Sequence, residues 1–212
     1  LDETRPGTLP PYAEVREKIL GDLKRRYIAE QRKEVEDCLA VHARRPIEYL
    51  FDQIAIDRRH CLVHATHANS AEMQLMARSG AVVGICTTTE ANLGDGLFAL
   101  ADLRQLGGRW GIGSDSHASV DAAEELRLLE YGQRLARQQR NVSVAEAMWS
   151  AAVAGGAQAA GRAVAGLVVG QQADLLVLAD AMLDGLAPAE RLASHVFASH
   201  RREAVREVWV GG

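Results

Sequence analysis

Ala81-Val-Val-Gly-Ile-Cys86, followed at once by Thr87-Thr-Thr-Glu90, is a near-continuous apolar run that ends in four polar residues. A strand that is apolar at nearly every position must be covered on both faces, as in a parallel sheet flanked by helices. The same grammar recurs on either side. Upstream, Cys61-Leu-Val-His-Ala-Thr66 reads as a buried strand. Asn69 with Glu72 three residues later forms a capping box that opens a short helix over residues 71–79, closed by Gly80. Downstream, residues 97–106 read as a helix broken by Gly107-Gly108, residues 109–113 as a third strand and residues 120–140 as a long helix. Ser143 with Glu146 forms a second capping box, opening a helix through Ala154. The strand starts near residues 61, 81 and 109 are 20 and 28 residues apart, a spacing suited to a (β/α) barrel. A closed barrel takes about 250 residues, so the expected fold class is α/β, a partial (β/α) barrel with about half the strands.

The ends are less regular. Residues 1–26, with Pro6, Pro10 and Pro11, read as an irregular arm and an exposed helix. Over residues 31–45 the apolar positions Val35, Cys38, Leu39 and Val41 share one helical face, and Pro46 is expected to stop that helix. Beyond Gly155-Gly156 the texture changes. A compact strand over residues 173–178 and a half-buried strand over 203–210 suggest pieces of a small β-domain. The expected organisation is thus 1–26 unmatched arm, 27–160 partial barrel and 161–212 β-domain segment.

The composition, 48% hydrophobic and 25% charged, is that of an ordinary globular chain. A net charge of −4 gives no electrostatic reason to expect nucleic acid or an anionic membrane as partner. No apolar run reaches the roughly 18–20 residues of a membrane span. Leu1-Asp-Glu-Thr-Arg-Pro6 lacks an apolar signal-peptide core, so the expected localisation is cytoplasmic. Cys38, Cys61 and Cys86 form no Cys-x-x-Cys pair, which argues against a zinc knot or disulfide framework. Cys61 and Cys86 are expected to be buried, inert thiols.

In parallel β/α folds chemistry sits at the carboxyl ends of the strands. Three successive strand ends here are polar: His64-Ala-Thr66-His67, Thr87 to Glu90 with Asn92 and Asp95, and Ser114-Asp115-Ser116-His117. Each side chain has two readings. Asp115 suits either the N-cap of the following helix or a metal-ligand carboxylate that also takes a proton from water. His64 suits a core histidine or a polar member of the pocket. His67 and His117 suit surface loops or supporting donors. Glu30 suits the first turn of a helix or a general acid/base. A dinucleotide loop, a phosphate loop, a His-Glu-x-x-His helix and a Gly-x-Ser-x-Gly elbow are all missing or incomplete.

Together, Ile28-Ala-Glu-Gln31, Leu62-Val-His-Ala-Thr-His67, Thr88-Thr-Glu-Ala-Asn-Leu-Gly-Asp-Gly96 and Gly113-Ser-Asp-Ser-His117 resemble the amidohydrolase superfamily. Within it they are most similar to the formimidoylglutamate deiminases of histidine degradation, over roughly residues 27–212. The resemblance implies an amidohydrolase-type barrel with a small β-sandwich domain and one divalent metal, usually zinc. It places Asp115 as a metal ligand and proton acceptor, His64 beside the metal-bound water and Glu30 as the proton shuttle. The implied reaction is hydrolytic deimination of N-formimidoyl-L-glutamate to N-formyl-L-glutamate and ammonia. Another deaminase of the superfamily acting on a heterocycle is the alternative enzyme; a non-catalytic remnant, or a fragment that works with a partner, is the alternative of another class. Two departures stand out. No His-x-His pair occurs in the chain, and Tyr27 stands where the family has a histidine three residues before the glutamate. The implied partners are a small-molecule substrate and either a second copy of the chain or a missing amino-terminal half.

Overall fold

The computed structural model describes residues 33, 35–163, 166–179, 183–198 and 204–211. The 1–26 arm, Tyr27 and Glu30 lie outside the described residues. The chain divides into two units, Leu1–Pro46 and Ile47–Gly212. In the first, residues 35–42 form helix α1, on which Leu39 and Val41 are exposed.

Pro46 does not merely end that segment; it opens α2 (Pro46–Gln53). Proline suits a first helical position, where its missing N–H has no intrahelical partner to lose. Three β/α repeats follow: β1 (Cys61–Val63), α3 (Ser70–Ser79), β2 (Val82–Ile85), α4 (Thr87–Leu93), α5 (Leu100–Gln105), β3 (Arg109–Ile112) and α6 (Ala122–Arg137). The strands form one parallel sheet in the order β1-β2-β3, with Cys61 opposite Val82 and Val82 opposite Arg109. This architecture is consistent with part of a (β/α) barrel. The Asn69–Glu72 capping box is present, and Gly80 takes the left-handed conformation at φ 72° that closes α3.

The central strand is the most deeply covered. Val82, Val83 and Ile85 are fully buried, and Val83 and Ile85 share one core cluster with Phe98, Leu100 and Leu103 from the α5 region, Met76 from α3 and Leu126 from α6. On β1 the pattern differs from expectation. Cys61 and Val63 are exposed, because among the described residues nothing covers that face of the edge strand. Cys86 is buried as expected.

Helix α7 (Ala145–Ala159) runs straight through Gly155-Gly156 instead of ending before them. A Cβ on Gly155 would sit 1.8 Å from the Trp110 carbonyl oxygen, and one on Gly111 would sit 3.0 Å from the Gly156 nitrogen. These glycines let a helix backbone rest directly on a strand backbone, which is why the sequence places them there. Ser143 does not cap α7; its hydroxyl accepts a bond from the Arg104 guanidinium. Beyond α7, β4 (Leu175–Leu178) and β5 (Val205–Trp209) pair antiparallel, with a register irregularity at Val177–Leu178. Between them α8 (Pro188–Phe197) packs against α6 and α7, burying Val196. No described helix is long and apolar enough to cross a membrane.

Candidate active site

The backbone delivers the site before any side chain does. The His64 N–H donates to the Gly84 carbonyl at 2.7 Å, extending the β1–β2 ladder by one bond. The chain then turns through two non-glycine residues in the left-handed region, His64 at φ 65° and Ala65 at φ 51°. At β3, the Gly113 N–H donates to the Ile85 carbonyl at 3.0 Å, and Asp115 follows at φ 50°. Such conformations are held against a local penalty of order 1–3 kcal/mol and concentrate at functional sites. Two neighbouring strand ends here share the feature.

Those turns bring His64 and Asp115 together, with His64 Nε2 3.7 Å from Asp115 Oδ2. This is too long for a direct hydrogen bond, and leaves room for a water that contacts both. The other ring nitrogen, Nδ1, lies 3.2 Å from Oε1 of Glu90. Asp115 is not the helix cap that its position allowed. Asp121 caps α6, its Oδ1 accepting from the N–H groups of Ala123 (2.8 Å) and Glu124 (3.1 Å). His117 is held locally, its Nδ1 accepting from the Ser119 N–H at 3.1 Å.

The strand end of β2 contributes α4 rather than a loop, and that helix is clamped from two directions. The Thr88 N–H donates to the buried carboxylate of Glu125 on α6 at 3.1 Å, and the Thr88 hydroxyl donates to the same group. The Thr89 hydroxyl donates to the Ser114 carbonyl at 2.8 Å, tying α4 to the residue before Asp115. Glu90, also buried, accepts from the Cys86 N–H at 2.9 Å. Burial raises the carboxyl pKa of both Glu90 and Glu125; Cys86 and His64 oppose this at Glu90, and Thr88 at Glu125. Burial also raises the Asp95 carboxyl, against the pull of His64 and His67. The Cys86 thiol is pushed up to about 12 by burial and by the carboxylates of Glu90, Asp115 and Glu125.

Of the three residues expected to carry chemistry, the structure brings His64 and Asp115 together, and Glu30 lies outside the described residues. Glu90 was legible only as a polar residue after a strand; its contact with His64, 26 residues away, has no local sequence signal. A mononuclear zinc centre needs three protein ligands. Among the described residues no group of three or more His, Cys, Asp or Glu side chains is arranged to hold a metal ion. Asp115 with His64 therefore does not by itself fit the metal that the resemblance implies.

Residues 27–212 match the amidohydrolase family, and the chain belongs to that family. Over 196 residues it is 52% identical to formimidoylglutamate deiminase of Pseudomonas aeruginosa, covering 88% of this chain and 43% of that protein. A crystal structure of an amidohydrolase from Brucella melitensis superposes with a TM-score of 0.79 at 41% identity, covering 85% of this chain and 41% of that one. An adenosine deaminase from Xanthomonas campestris, solved with bound zinc, superposes with a TM-score of 0.75 at 26% identity, covering 91% and 48%. The chain thus spans less than half the length of each of these relatives.

Proposed function

We propose that this chain supplies the water-handling strands of a hydrolase that converts N-formimidoyl-L-glutamate and water to N-formyl-L-glutamate and ammonia. The observation that carries the reading is the meeting of His64 Nε2 and Asp115 Oδ2 across 3.7 Å at adjacent strand ends. The 52% identity to a formimidoylglutamate deiminase supports the choice of substrate. A water held between these two side chains is oriented by His64 and gives a proton to Asp115. Its oxygen attacks the formimino carbon, the C–N bond breaks, and Glu30 protonates the departing ammonia.

Magnitudes show what else that site requires. Water has a pKa of 15.7 and an ordinary aspartate about 3.9. Unassisted transfer is therefore uphill by about 12 pK units, or roughly 16 kcal/mol. Asp115 and His64 cannot make up that difference alone. We therefore assign the remaining ligands to a complementary segment bearing a His-x-His pair, and expect the chain by itself to hold zinc poorly.

The test is co-expression with the amino-terminal half of a related deiminase, with Tyr27→His in this chain, followed by ammonia-release assays and metal analysis on the same samples. Ammonia from formimidoylglutamate is expected. Glu30→Gln should then lose about 10²–10⁴ in turnover while retaining metal, and Asp115→Asn should lose both. Near-full turnover in Glu30→Gln, or metal and rate both kept in Asp115→Asn, would overturn the roles. Ammonia from a heterocycle instead would move the reading to that class of deaminase. No activity in a metal-loaded complex would favour a non-catalytic remnant.

A further inference from the structure

We infer that Glu90 is a positioning residue for this site, its carboxylate holding His64 in the Nδ1–H tautomer so that Nε2 faces Asp115 as an acceptor. The inference rests on the proposed role of His64 in handling the hydrolytic water.

The geometry at Glu90 Oε1 leads to this assignment. That oxygen already accepts the Cys86 N–H at 2.9 Å, which fixes its position and makes it an acceptor. His64 Nδ1 lies 3.2 Å from the same oxygen. Two lone pairs facing each other at that separation would repel, so the proton belongs on Nδ1. Which imidazole nitrogen carries the proton is set by the partner of one of them.

Glu90 is also the more rigid partner. It is fully buried in the first turn of α4. That helix is tied to α6 by the Thr88–Glu125 bonds and to the end of β3 by the Thr89–Ser114 bond. The His64 ring therefore takes its orientation from α4. With Nδ1 occupied, Nε2 presents a lone pair toward Asp115 Oδ2, 3.7 Å away. A water seated between them would donate one hydrogen to Nε2 and one to Oδ2. Its oxygen lone pairs would then point away from both acceptors, toward an electrophilic carbon. In the opposite tautomer Nε2–H would donate to that water and occupy one of those lone pairs. Glu90 thus decides which face of the water is nucleophilic.

The test reads the tautomer directly and needs no turnover. The full chain is labelled with ¹⁵N-histidine, and two-bond ¹H–¹⁵N correlation spectra are recorded where the rings are neutral. The His64 signals are identified by their loss in His64→Gln. His117 serves as an internal reference of the opposite tautomer, because its Nδ1 accepts from the Ser119 N–H. The expected result is a protonated Nδ1 and an unprotonated Nε2 at His64. Glu90→Gln, which keeps an acceptor oxygen, should preserve this pattern. Glu90→Leu should move His64 toward Nε2–H and leave His117 unchanged.

An Nε2–H tautomer at His64 in the unsubstituted chain or in Glu90→Gln would overturn the inference. So would a folded Glu90→Leu protein whose His64 tautomer is unchanged. If Glu90→Leu fails to fold, the other two spectra still decide. Because the readout is independent of substrate, this inference and the proposed activity can fail separately.

Discussion

Gly155→Ala tests the contact between the backbones of α7 and β3. The new methyl carbon would lie 1.8 Å from the Trp110 carbonyl oxygen, 2.4 Å from the Trp110 carbonyl carbon and 3.0 Å from the Gly111 nitrogen. All three are main-chain atoms of β3, so no side chain can rotate out of the way. Ordinary contact begins near 3.4 Å, so α7 must withdraw from the sheet by about 1.6 Å, enough to forfeit much of the dispersion attraction along the contact. Overpacking of this kind costs about 1–3 kcal/mol, and more where the backbone must shift. Against that, alanine gains about 1 kcal/mol over glycine in a helix interior. The neighbouring substitution separates the two effects, since a Cβ on Gly156 meets nothing within 4 Å. Gly156→Ala should therefore be neutral or stabilising by up to about 1 kcal/mol. Gly155→Ala should be destabilising by about 2 kcal/mol or more, placing the adjacent pair roughly 2–4 kcal/mol apart. Equilibrium urea unfolding followed by circular dichroism measures both. Equal stability of the two variants would refute the claim that α7 and β3 touch through bare backbone.

Two further outcomes follow from the buried ionisable groups. Burial raises the Glu125 carboxyl, so the folded state holds that proton longer than the unfolded chain does. Stability from this group is then greatest below the ordinary carboxylate pKa of about 4.5 and falls as pH rises through the folded value. Glu125→Gln should flatten that decline, gaining relative to the unsubstituted protein in urea midpoints as pH rises above about 4.5; a pH-independent difference would contradict the assignment. Cys86, buried and with its thiol pushed up to about 12, should resist disulfide-exchange reagents at pH 8 until the chain unfolds, whereas exposed Cys61 reacts in the native state. Native labelling of Cys86 at the rate of Cys61 would count against the burial described.

What the sequence disclosed depended on the range of the interaction. The β1-α3-β2 rhythm was readable because its signals are local: an apolar run, the Asn69–Glu72 reciprocal cap and a left-handed Gly80. Pro46 follows the end of the preceding helix as expected, but its second role, like that of Gly155-Gly156, is hidden because each residue type has two opposite uses. Proline ends one helix and begins the next; paired glycines break a helix or let it approach a strand. Only packing decides between them. At the site, the polar strand ends marked His64 and Asp115 without showing that their side chains converge. Asp115 also suits a helix cap by position, a role that Asp121 takes in the structure. The Glu90–His64 and Glu125–Thr88 contacts join residues 26 and 37 apart, a separation at which periodicity carries no information.

The sheet order β1-β2-β3 also bears on how quickly the site can form. Each strand pairs with its immediate neighbour in sequence, so His64, Glu90 and Asp115 meet through two successive strand additions with no other segment threaded between them. The paired positions lie 21 and 27 residues apart, and because loop-closure entropy grows only as the logarithm of loop length, the two additions cost nearly the same. The stretch from Cys61 to Asp115 can therefore bring His64, Glu90 and Asp115 together before the β5 segment has emerged from the ribosome to pair with β4.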